Sequence, residues 1–430
     1  MLGLLLSPTF LCFLGFAYTL CLFNYRILFC RISHIPVPRL AATTYLHQFY
    51  YDGQPHKGQF FLQCERLHAR YGPIIRLWPD EVHVNDMAFY NELYTNDIRR
   101  HRNKSDLWFW FAGVDTFIGR SVFATLEPDL HRVRRAGFAQ YFSWGKVMEL
   151  QPRIADKAEW LRENVMEWAG GDELLNLTNA MGALTLDAHW MLSGSKLSAV
   201  LKRFDKQVHE CTRSAFDDAL TEGRSKKNNE KRVTVMRDMV GPDGHLPAEE
   251  RTFARIKNEA SNFVDAGIET TGRTLAVTFY HILANPSIHS NLIDELRTVM
   301  SFPRSPTPSR STLEKLPYLT AIITEGLRIS HATPGRLART CPDEDLEFHG
   351  FQIPRGPTIS QSNYLLHTDA AVFPDPHTFR PERHLAPGAA ELQKKMVVWE
   401  RRVDVRGHEF GLGGARPYDR PHDLGSGYAA

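Results

Sequence analysis

Residues 261–286 read SNFVDAGIETTGRTLAVTFYHILANP, inside a longer amphipathic pattern over 247–284 that predicts a helix. The centre of the stretch, AGIETT at 266–271, places a glycine, an acid and two hydroxyls inside an otherwise apolar helix. Gly267 lowers helix stability, and the Thr270 hydroxyl can donate to the carbonyl one turn back and distort the helix. On its own, this pattern is as typical of a tolerated glycine as of a functional site.

Two further constellations follow towards the C-terminus. Glu325 and Arg328 stand three residues apart in EGLR, so they share one helix face and can form a charge-assisted pair. Exposed pairs of this kind contribute little free energy, so this pair alone is a weak signal. A proline-rich stretch then ends in FRPER at 379–383, which supplies Arg383 as another guanidinium partner for a carboxylate.

The rest of the chain indicates a fold that is mainly α with a small β region. Residues 73–86 alternate like two short strands, and LEFHGFQIPRGPTIS at 346–360 resembles a hairpin. The polar segments at 223–246 and 301–312 predict loops. Other amphipathic patterns predict helices over 57–71, 127–142, 145–168, 172–193, 198–222, 287–300 and 313–330.

The N-terminus carries one long apolar segment. Residues 2–23 read LGLLLSPTFLCFLGFAYTLCLF and no charged residue precedes Arg26, so the segment is long enough for one helical span of a bilayer. A cleaved signal peptide is the alternative, but the sequence has neither a basic leader nor a clear small-x-small cleavage site. We therefore expect a transmembrane anchor at 1–25 and a basic connector, stiffened by prolines, at 26–40. The basic residues after the span favour a domain on the cytosolic side; they are Arg26, Arg31 and Arg39.

Composition excludes several classes of protein. The formal net charge is +2 and the basic residues are scattered, so we expect no nucleic-acid partner. The cysteines form no C-x-x-C pair and have no regular spacing, which indicates neither a disulfide framework nor a zinc site. The domain that follows the anchor therefore suits the reducing cytosol.

The three constellations together, in this order and spacing, resemble the cytochrome P-450 family: the AGIETT helix, the EGLR helix and the FRPER loop. The resemblance covers roughly residues 36–398 and is similar in style to fungal microsomal members of secondary metabolism. It implies the cytochrome P-450 fold, a mostly helical domain with a small β region that encloses a haem. The catalytic domain is accordingly placed at 41–398, with an aberrant tail at 399–430.

The resemblance implies roles for the residues that match the motifs of the family. Glu269 and Thr270 correspond to the acid–alcohol pair that handles protons and oxygen above the iron. Glu325, Arg328 and Arg383 correspond to a structural salt-bridge triad, which is costly to break when it is buried. The side chains that correspond to partners of the haem propionates are His131, Arg135 and Arg339.

One element of the family pattern is missing from the chain. The family ligates iron through a cysteine in an F-x-x-G-x-R-x-C-x-G loop, and the thiolate favours O–O cleavage. No cysteine follows Cys341, which itself precedes the FRPER stretch, so we predict no protein ligand for the metal. His408 or Tyr418 can ligate iron in principle, but the tail around them has no amphipathic period. The fold is thus expected to be C-terminally incomplete, with apolar surface exposed where a last helix belongs.

The codons of the tail offer an explanation. Read from the second base of each codon, they permit Phe at position 398, Gly at 399 and 401, and Cys at 405, which matches the haem loop of the family. The same frame continues with plausible helix residues. Position 403, where the loop arginine belongs, permits only Leu, Ser or Trp. We therefore predict a frameshift near Val397 or Val398, either in the gene or in the gene model.

The sequence thus predicts a haem-dependent monooxygenase, an oxidoreductase that oxidises a lipophilic secondary metabolite such as a terpenoid or a polyketide. The resemblance implies electrons from NADPH through a membrane reductase, and a single-pass location in the endoplasmic reticulum membrane with the catalytic domain in the cytosol. The chain as written is predicted to be inactive. The alternative is a non-catalytic, membrane-anchored binding or scaffold protein derived from the same fold. Substrate specificity is expected to depend on residues around 100–125 and 195–225.

Overall fold

The structure of the protein is a computed structural model that describes residues 8–396 with internal gaps. The tail at 399–430, with His408 and Tyr418, lies outside the described residues, as do most of the segment 195–225 and part of 100–125. The gaps are 57, 96, 98, 107–117, 143, 150, 170, 172–174, 187–205, 207–208, 211, 218–234, 242–245 and 301–307.

Helices dominate the described chain, which confirms the predicted class. In the N-terminal half they are α1 (Pro8–Leu28), α2 (Arg39–Thr43), α3 (Leu46–Asp52), α4 (Phe60–Tyr71), α5 (Met87–Leu93), α6 (Pro128–Ala136), α7 (Trp144–Glu149), α8 (Gln151–Trp168), α9 (Leu177–Leu186) and α10 (Val235–Val240). In the C-terminal half they are α11 (Phe253–Ala284), α12 (Pro286–Leu296), α13 (Arg310–Leu313), α14 (Pro317–Ile329), α15 (Asn363–His367) and α16 (Ala389–Lys394). Short 3-10 helices cover Ala139–Phe142, Ala248–Glu250 and Pro381–His384.

The small β region joins the two ends of the domain. A five-stranded sheet has the order β1-β2-β7-β4-β3, in which β1 and β2 form an antiparallel hairpin and β2 pairs in parallel with β7. The stretch 346–360, predicted as a hairpin, is divided between two sheets. Strands β5 and β6 pair with each other, whereas β7 joins the larger sheet. The strands are β1 (Ile74–Trp78), β2 (Glu81–Val84), β3 (Asn103–Lys104), β4 (Arg339–Thr340), β5 (Leu346–Phe348), β6 (Phe351–Ile353) and β7 (Thr358–Ser360).

Several predicted helices are shorter in the structure than in the sequence pattern, and two of them show a local cause. The helix predicted over 247–284 begins at Phe253, because the Thr252 side chain accepts a hydrogen bond from the backbone N–H of Arg255 and caps it. The helix predicted over 127–142 ends at Ala136. Gly137 follows, packed so closely on Leu246 that a Cβ at this position would collide with the leucine side chain.

Helix α11 is the longest helix described, with 32 residues, and it positions the candidate site. Glycines allow its neighbours to approach closely: Gly272 packs on Gly182 of α9, and Gly326 of α14 packs on Thr278. On the N-terminal side of these contacts the centre of α11 stays open, since Asp265, Ala266, Gly267 and Glu269 are all exposed. A long helix with buried residues on both sides of an exposed centre therefore borders an open space.

The C-terminal half of α11 also exposes large apolar side chains. Phe279 is 41% exposed, Tyr280 62% and Leu283 66%, and Ile323 on the neighbouring α14 is 49% exposed. We name these four residues the α11–α14 apolar face. The sequence predicted exposed apolar surface of this kind, because the last helix of the family pattern has no counterpart in the tail as written.

Candidate active site

The AGIETT stretch lies in the open centre of α11. The Thr270 hydroxyl donates to the carbonyl oxygen of Ala266 at 2.7 Å, which is the bond that the sequence predicted. Thr274 and Thr278 repeat it, donating to Thr270 and Thr274 at 2.9 and 2.7 Å. Although such bonds tend to bend a helix, α11 runs without interruption from Phe253 to Ala284. Each of these hydroxyls therefore has a hydrogen-bond acceptor within the helix, and Thr270 directly follows the exposed Glu269.

The structure adds an acidic residue that sequence reasoning missed. Asp265 lies one helical turn before Glu269, so the two carboxylates share the open face of α11. Desolvation by the surrounding protein, followed by the nearby charge of Glu269, raises the pKa of the Asp265 carboxyl above its ordinary value. The sequence signal that could have revealed Asp265 is the i, i+4 spacing of two acidic residues inside an apolar pattern. The open face thus carries two acidic side chains one helical turn apart.

The second and third constellations meet at one buried carboxylate. The Glu325 side chain accepts two hydrogen bonds from Arg328, at 2.7 and 3.0 Å, and both side chains are fully buried. Arg383, which lies 58 residues further along the chain, donates from Nε to the same carboxylate at 3.1 Å. The structure therefore brings together the three residues that the sequence grouped as a triad.

Two more groups complete the network around Glu325. The Nε2 atom of His384 lies 2.9 Å from one carboxylate oxygen, and the backbone N–H of Arg380 donates to the other at 3.0 Å. Burial on its own would raise the pKa of Glu325, but the hydrogen bonds from His384 and Arg328 outweigh it and lower the pKa to about 2. Glu325 is thus an ionised anchor at neutral pH. His384 was missed by the sequence analysis, although it directly follows the FRPER motif.

The two arginines also bind carbonyl oxygens of the loop that leads to FRPER. Arg328 donates to the carbonyls of His367 and Pro376 at 2.9 and 2.7 Å. Arg383 donates to the carbonyl of Pro374 at 2.8 Å. Because a guanidinium has five donors in a fixed plane, each arginine can fix several backbone segments at once. The network therefore holds α14, α15 and the proline-rich loop together.

The residues proposed for haem propionates lie on two separate elements. His131 and Arg135 are half-buried and stand one turn apart on α6. Arg134 between them has another role, because it forms a bidentate pair with Glu250 at 2.8 and 3.0 Å. Arg339 lies on β4, with its guanidinium carbon 5.4 Å from the centre of the Tyr94 ring.

Comparison with known proteins decides the family. The family model for cytochrome P-450 matches residues 195–397. The cytochrome P-450 monooxygenase ucsK of an Acremonium species is 38% identical over 423 residues, which cover 84% of this chain and 80% of that protein. This chain belongs to the cytochrome P-450 family. Two further relatives are the cytochrome P-450 monooxygenase oblB of Cochliobolus heterostrophus, 31% identical over 90% of this chain and 83% of its own, and stellatic acid synthase of Emericella variicolor, 31% identical over 89% and 81%.

Members of the cytochrome P-450 family are haem-dependent monooxygenases, so the family implies a haem iron and a cysteine thiolate to bind it. The buried cysteines of the described chain do not fit that ligand. Burial raises the pKa of Cys64 to about 12 and that of Cys341 to about 11, and Cys64 packs against apolar side chains of α4 and β1. Cys341 also packs in the core with β5 and β6. Within the described ranges, His, Cys, Asp and Glu side chains form no group of three that could hold a metal ion.

Proposed function

We propose that this gene encodes a monooxygenase that oxidises a lipophilic secondary metabolite, and that the chain as written is inactive because its tail is read out of frame. The observation that carries the proposal is the open centre of α11, where Asp265, Glu269 and Thr270 lie within two helical turns, in a chain whose Glu325 is held in a buried ion network. In this proposal Glu269 and Thr270 supply and relay protons. The Glu325 network fixes α14, α15 and the proline-rich loop relative to one another.

Three observations support the frameshift. The match to the family ends at residue 397, next to the position where the sequence predicts the change of frame. The buried cysteines of the described chain, Cys64 and Cys341, pack in two apolar clusters, and no cysteine follows Cys341 in the sequence. The α11–α14 apolar face leaves four large apolar side chains exposed, as expected of a domain that lacks its last helix.

The test begins with the transcript, sequenced across codons 390–430. Three chains are then expressed: the chain as written, the chain with the frame restored by one base, and the restored chain with the cysteine at position 405 replaced by serine. We expect a thiolate-type carbon monoxide difference spectrum from the restored chain alone. A thiolate-type spectrum from the chain as written would overturn the proposal, and so would a restored chain that incorporates no haem.

We also propose that α1 anchors the protein as a single pass in the endoplasmic reticulum membrane, with the domain in the cytosol beside an NADPH-dependent reductase. In the described part of the chain, α1 is the one helix long and apolar enough to cross a membrane, and it has no buried residues. Microsomes treated with carbonate and with protease test the anchor and its orientation separately. Digestion of the domain without detergent is the expected result, whereas protection would place it in the lumen.

The substrate class is proposed from the relatives. Stellatic acid synthase and conidiogenone synthase carry names of small organic products, and the same group includes several fungal monooxygenases. A terpenoid or polyketide of low polarity is the class that we propose. The test is to add a panel of such compounds to the restored chain and to measure their binding by the shift of the haem absorption spectrum.

A further inference from the structure

The buried turn at 121–125 is bonded to two helices that lie far apart in the sequence. The carboxylate of Glu259, fully buried on α11, accepts a hydrogen bond from the backbone N–H of Val122 at 2.9 Å. At the other end of the turn, the Thr125 hydroxyl accepts a hydrogen bond from the guanidinium of Arg134 on α6 at 2.9 Å. The turn therefore has one side-chain bond to each helix.

The two side chains that hold the turn are also joined to each other. Besides its bond to Thr125, Arg134 forms the bidentate pair with Glu250. The Nε atom of Arg255 donates to the same Glu250 carboxylate at 3.2 Å, and its Nη1 atom lies 2.5 Å from the carboxylate of Glu259. These contacts return to the turn from which they started, so they form a closed ring. We name the side chains of Arg134, Glu250, Arg255 and Glu259 the ion ring.

The ion ring is balanced in charge and largely buried. It contains two guanidinium groups and two carboxylates, and side-chain exposure falls from 17% at Arg134 to 0% at Glu259. Burial on its own would raise the pKa of Glu250, but the hydrogen bond and the charge of Arg134 outweigh it and lower the pKa. Glu250 is therefore ionised at neutral pH. Because a buried charge that loses its partner stays desolvated, each contact of the ring depends on the others.

Helix formation alone does not require these contacts. Val122 and Glu259 are 137 residues apart, and Arg134 and Glu250 are 116 residues apart. In the described part of the chain, the Glu250 side chain bonds to the two arginines of the ring and makes no hydrogen bond to the turn. Any effect of Glu250 on the turn must therefore pass through the ring.

The turn lies at the end of the segment 100–125, where the sequence predicts substrate specificity. Its bond to α11 is made at Glu259, ten residues before Glu269 on the same helix. Ten residues of an α-helix span about 15 Å. The ion ring thus fixes the end of the specificity segment to the helix whose centre forms the candidate site.

We propose that Glu250, Arg255 and Glu259 are positioning residues, which hold the 121–125 turn at a fixed place relative to the open centre of α11. The consequence for substrate specificity rests on the proposed function, whereas the ring rests on the contacts themselves. Opening the ring at any member loosens the turn, including at Glu250, which makes no hydrogen bond to it.

The test measures amide hydrogen exchange of the full chain as written, in detergent, by mass spectrometry. The variant E250Q opens the ring, and the matched control is D129N, because Asp129 and Arg132 form an exposed ion pair at 2.8 Å on the same α6. The readout is exchange in the 121–125 turn relative to exchange in the hairpin of β1 and β2, which separates local loosening from a loss of global stability. We expect this ratio to rise about tenfold in E250Q and to stay unchanged in D129N. An equal ratio in the two variants would overturn the inference.

A second pair of variants tests whether the ring acts as a unit. T125V removes the bond between the turn and Arg134 without changing any charge. Its control is T324V, because Thr324 is also 4% exposed and its hydroxyl also donates to the carbonyl four residues back, at 2.8 Å against 2.9 Å for Thr125. We expect T125V to loosen the turn and T324V to leave it unchanged. Combining T125V with E250Q should loosen it no further than either change alone, since both open the same ring.

Effects that multiply in the combined variant would contradict a ring, and so would equal exchange in T125V and T324V. Should E250Q fail to fold, the comparison of T125V with T324V still decides. These measurements use the chain as written, so they do not depend on the frame of the tail. A turn that loosens as expected, beside a restored chain that incorporates no haem, would overturn the monooxygenase proposal and keep the ring. A turn that does not loosen would overturn the ring alone.

Discussion

The substitution E325Q neutralises the carboxylate that Arg328, Arg383 and His384 share, while keeping the shape of its side chain. Two buried guanidinium groups then lose their counter-ion. Since Arg328 is fully buried, water cannot replace the lost partner. Removing one member of a buried ion pair destabilises proteins by about 3–5 kcal/mol, because the remaining charge stays desolvated.

The pKa of Glu325 gives an independent magnitude. Its fall from 4.5 to about 2 means that the ionised form is favoured in the folded state by about 3 kcal/mol. The pKa is depressed on folding, so this stability is present above pH 4.5 and is lost as the pH falls towards 2. Both estimates are a large part of the stability of an ordinary domain, about 5–15 kcal/mol.

The assay is urea unfolding in detergent at pH 7 and at several lower values. The control is D294N, because Asp294 and Arg297 have the same i, i+3 spacing and a similar distance of 2.9 Å, but are 64% exposed. We expect D294N to cost less than about 1 kcal/mol. E325Q should cost about 3–5 kcal/mol, and the difference between E325Q and the parent should shrink below pH 4.5. Equal losses in the two variants, or a difference that is independent of pH, would refute the reasoning.

Further predictions concern packing, solubility and acid stability. The variant G326A should lose about 1–3 kcal/mol, because a Cβ there would collide with Thr278, and T278A in the same chain should restore part of it in thermal unfolding. The variant L283K should make the chain as written less prone to aggregation in light scattering with little loss of stability, since Leu283 is 66% exposed; increased aggregation would contradict this. Burial lowers the pKa of His68 from 6.5 to about 4, so stability present above pH 6.5 is lost as the pH falls towards 4. A shallower loss in H68Q between those values, measured by urea unfolding, is expected, and an unchanged slope would exclude His68 as the cause.

The sequence predicted well those features that depend on local spacing. The i, i+3 pair of Glu325 and Arg328, the Thr270 bond to the preceding turn and the helical class all follow from periods of three to four residues. Side-chain spacing does not reveal partners that come from a distant loop. His384 and the backbone N–H of Arg380 reach Glu325 only because the proline-rich loop folds back by more than fifty residues.

Features set by tertiary packing also could not be predicted from the spacing of residues in the sequence. The stretch 346–360 has the period of a hairpin, yet β7 leaves it to pair with β2, whose Val82 faces Ile359. The apolar residues of α3 have a normal helical spacing, which predicts a core-facing stripe. In the structure this stripe faces outwards, because His47 and the close packing of α2 occupy the inner side.

The architecture separates the support of the site from the missing ligand. Every partner found for Glu325, Arg328 and Arg383 lies between Glu325 and His384, upstream of the predicted change of frame. A buried ion network needs only its own donors and acceptors to remain closed, so the tail does not enter its stability. By contrast, the tail of the chain as written contains no cysteine, so it offers no thiolate for the iron that the family implies. The chain as written therefore keeps the buried network around Glu325 although its tail lacks the ligand of the family.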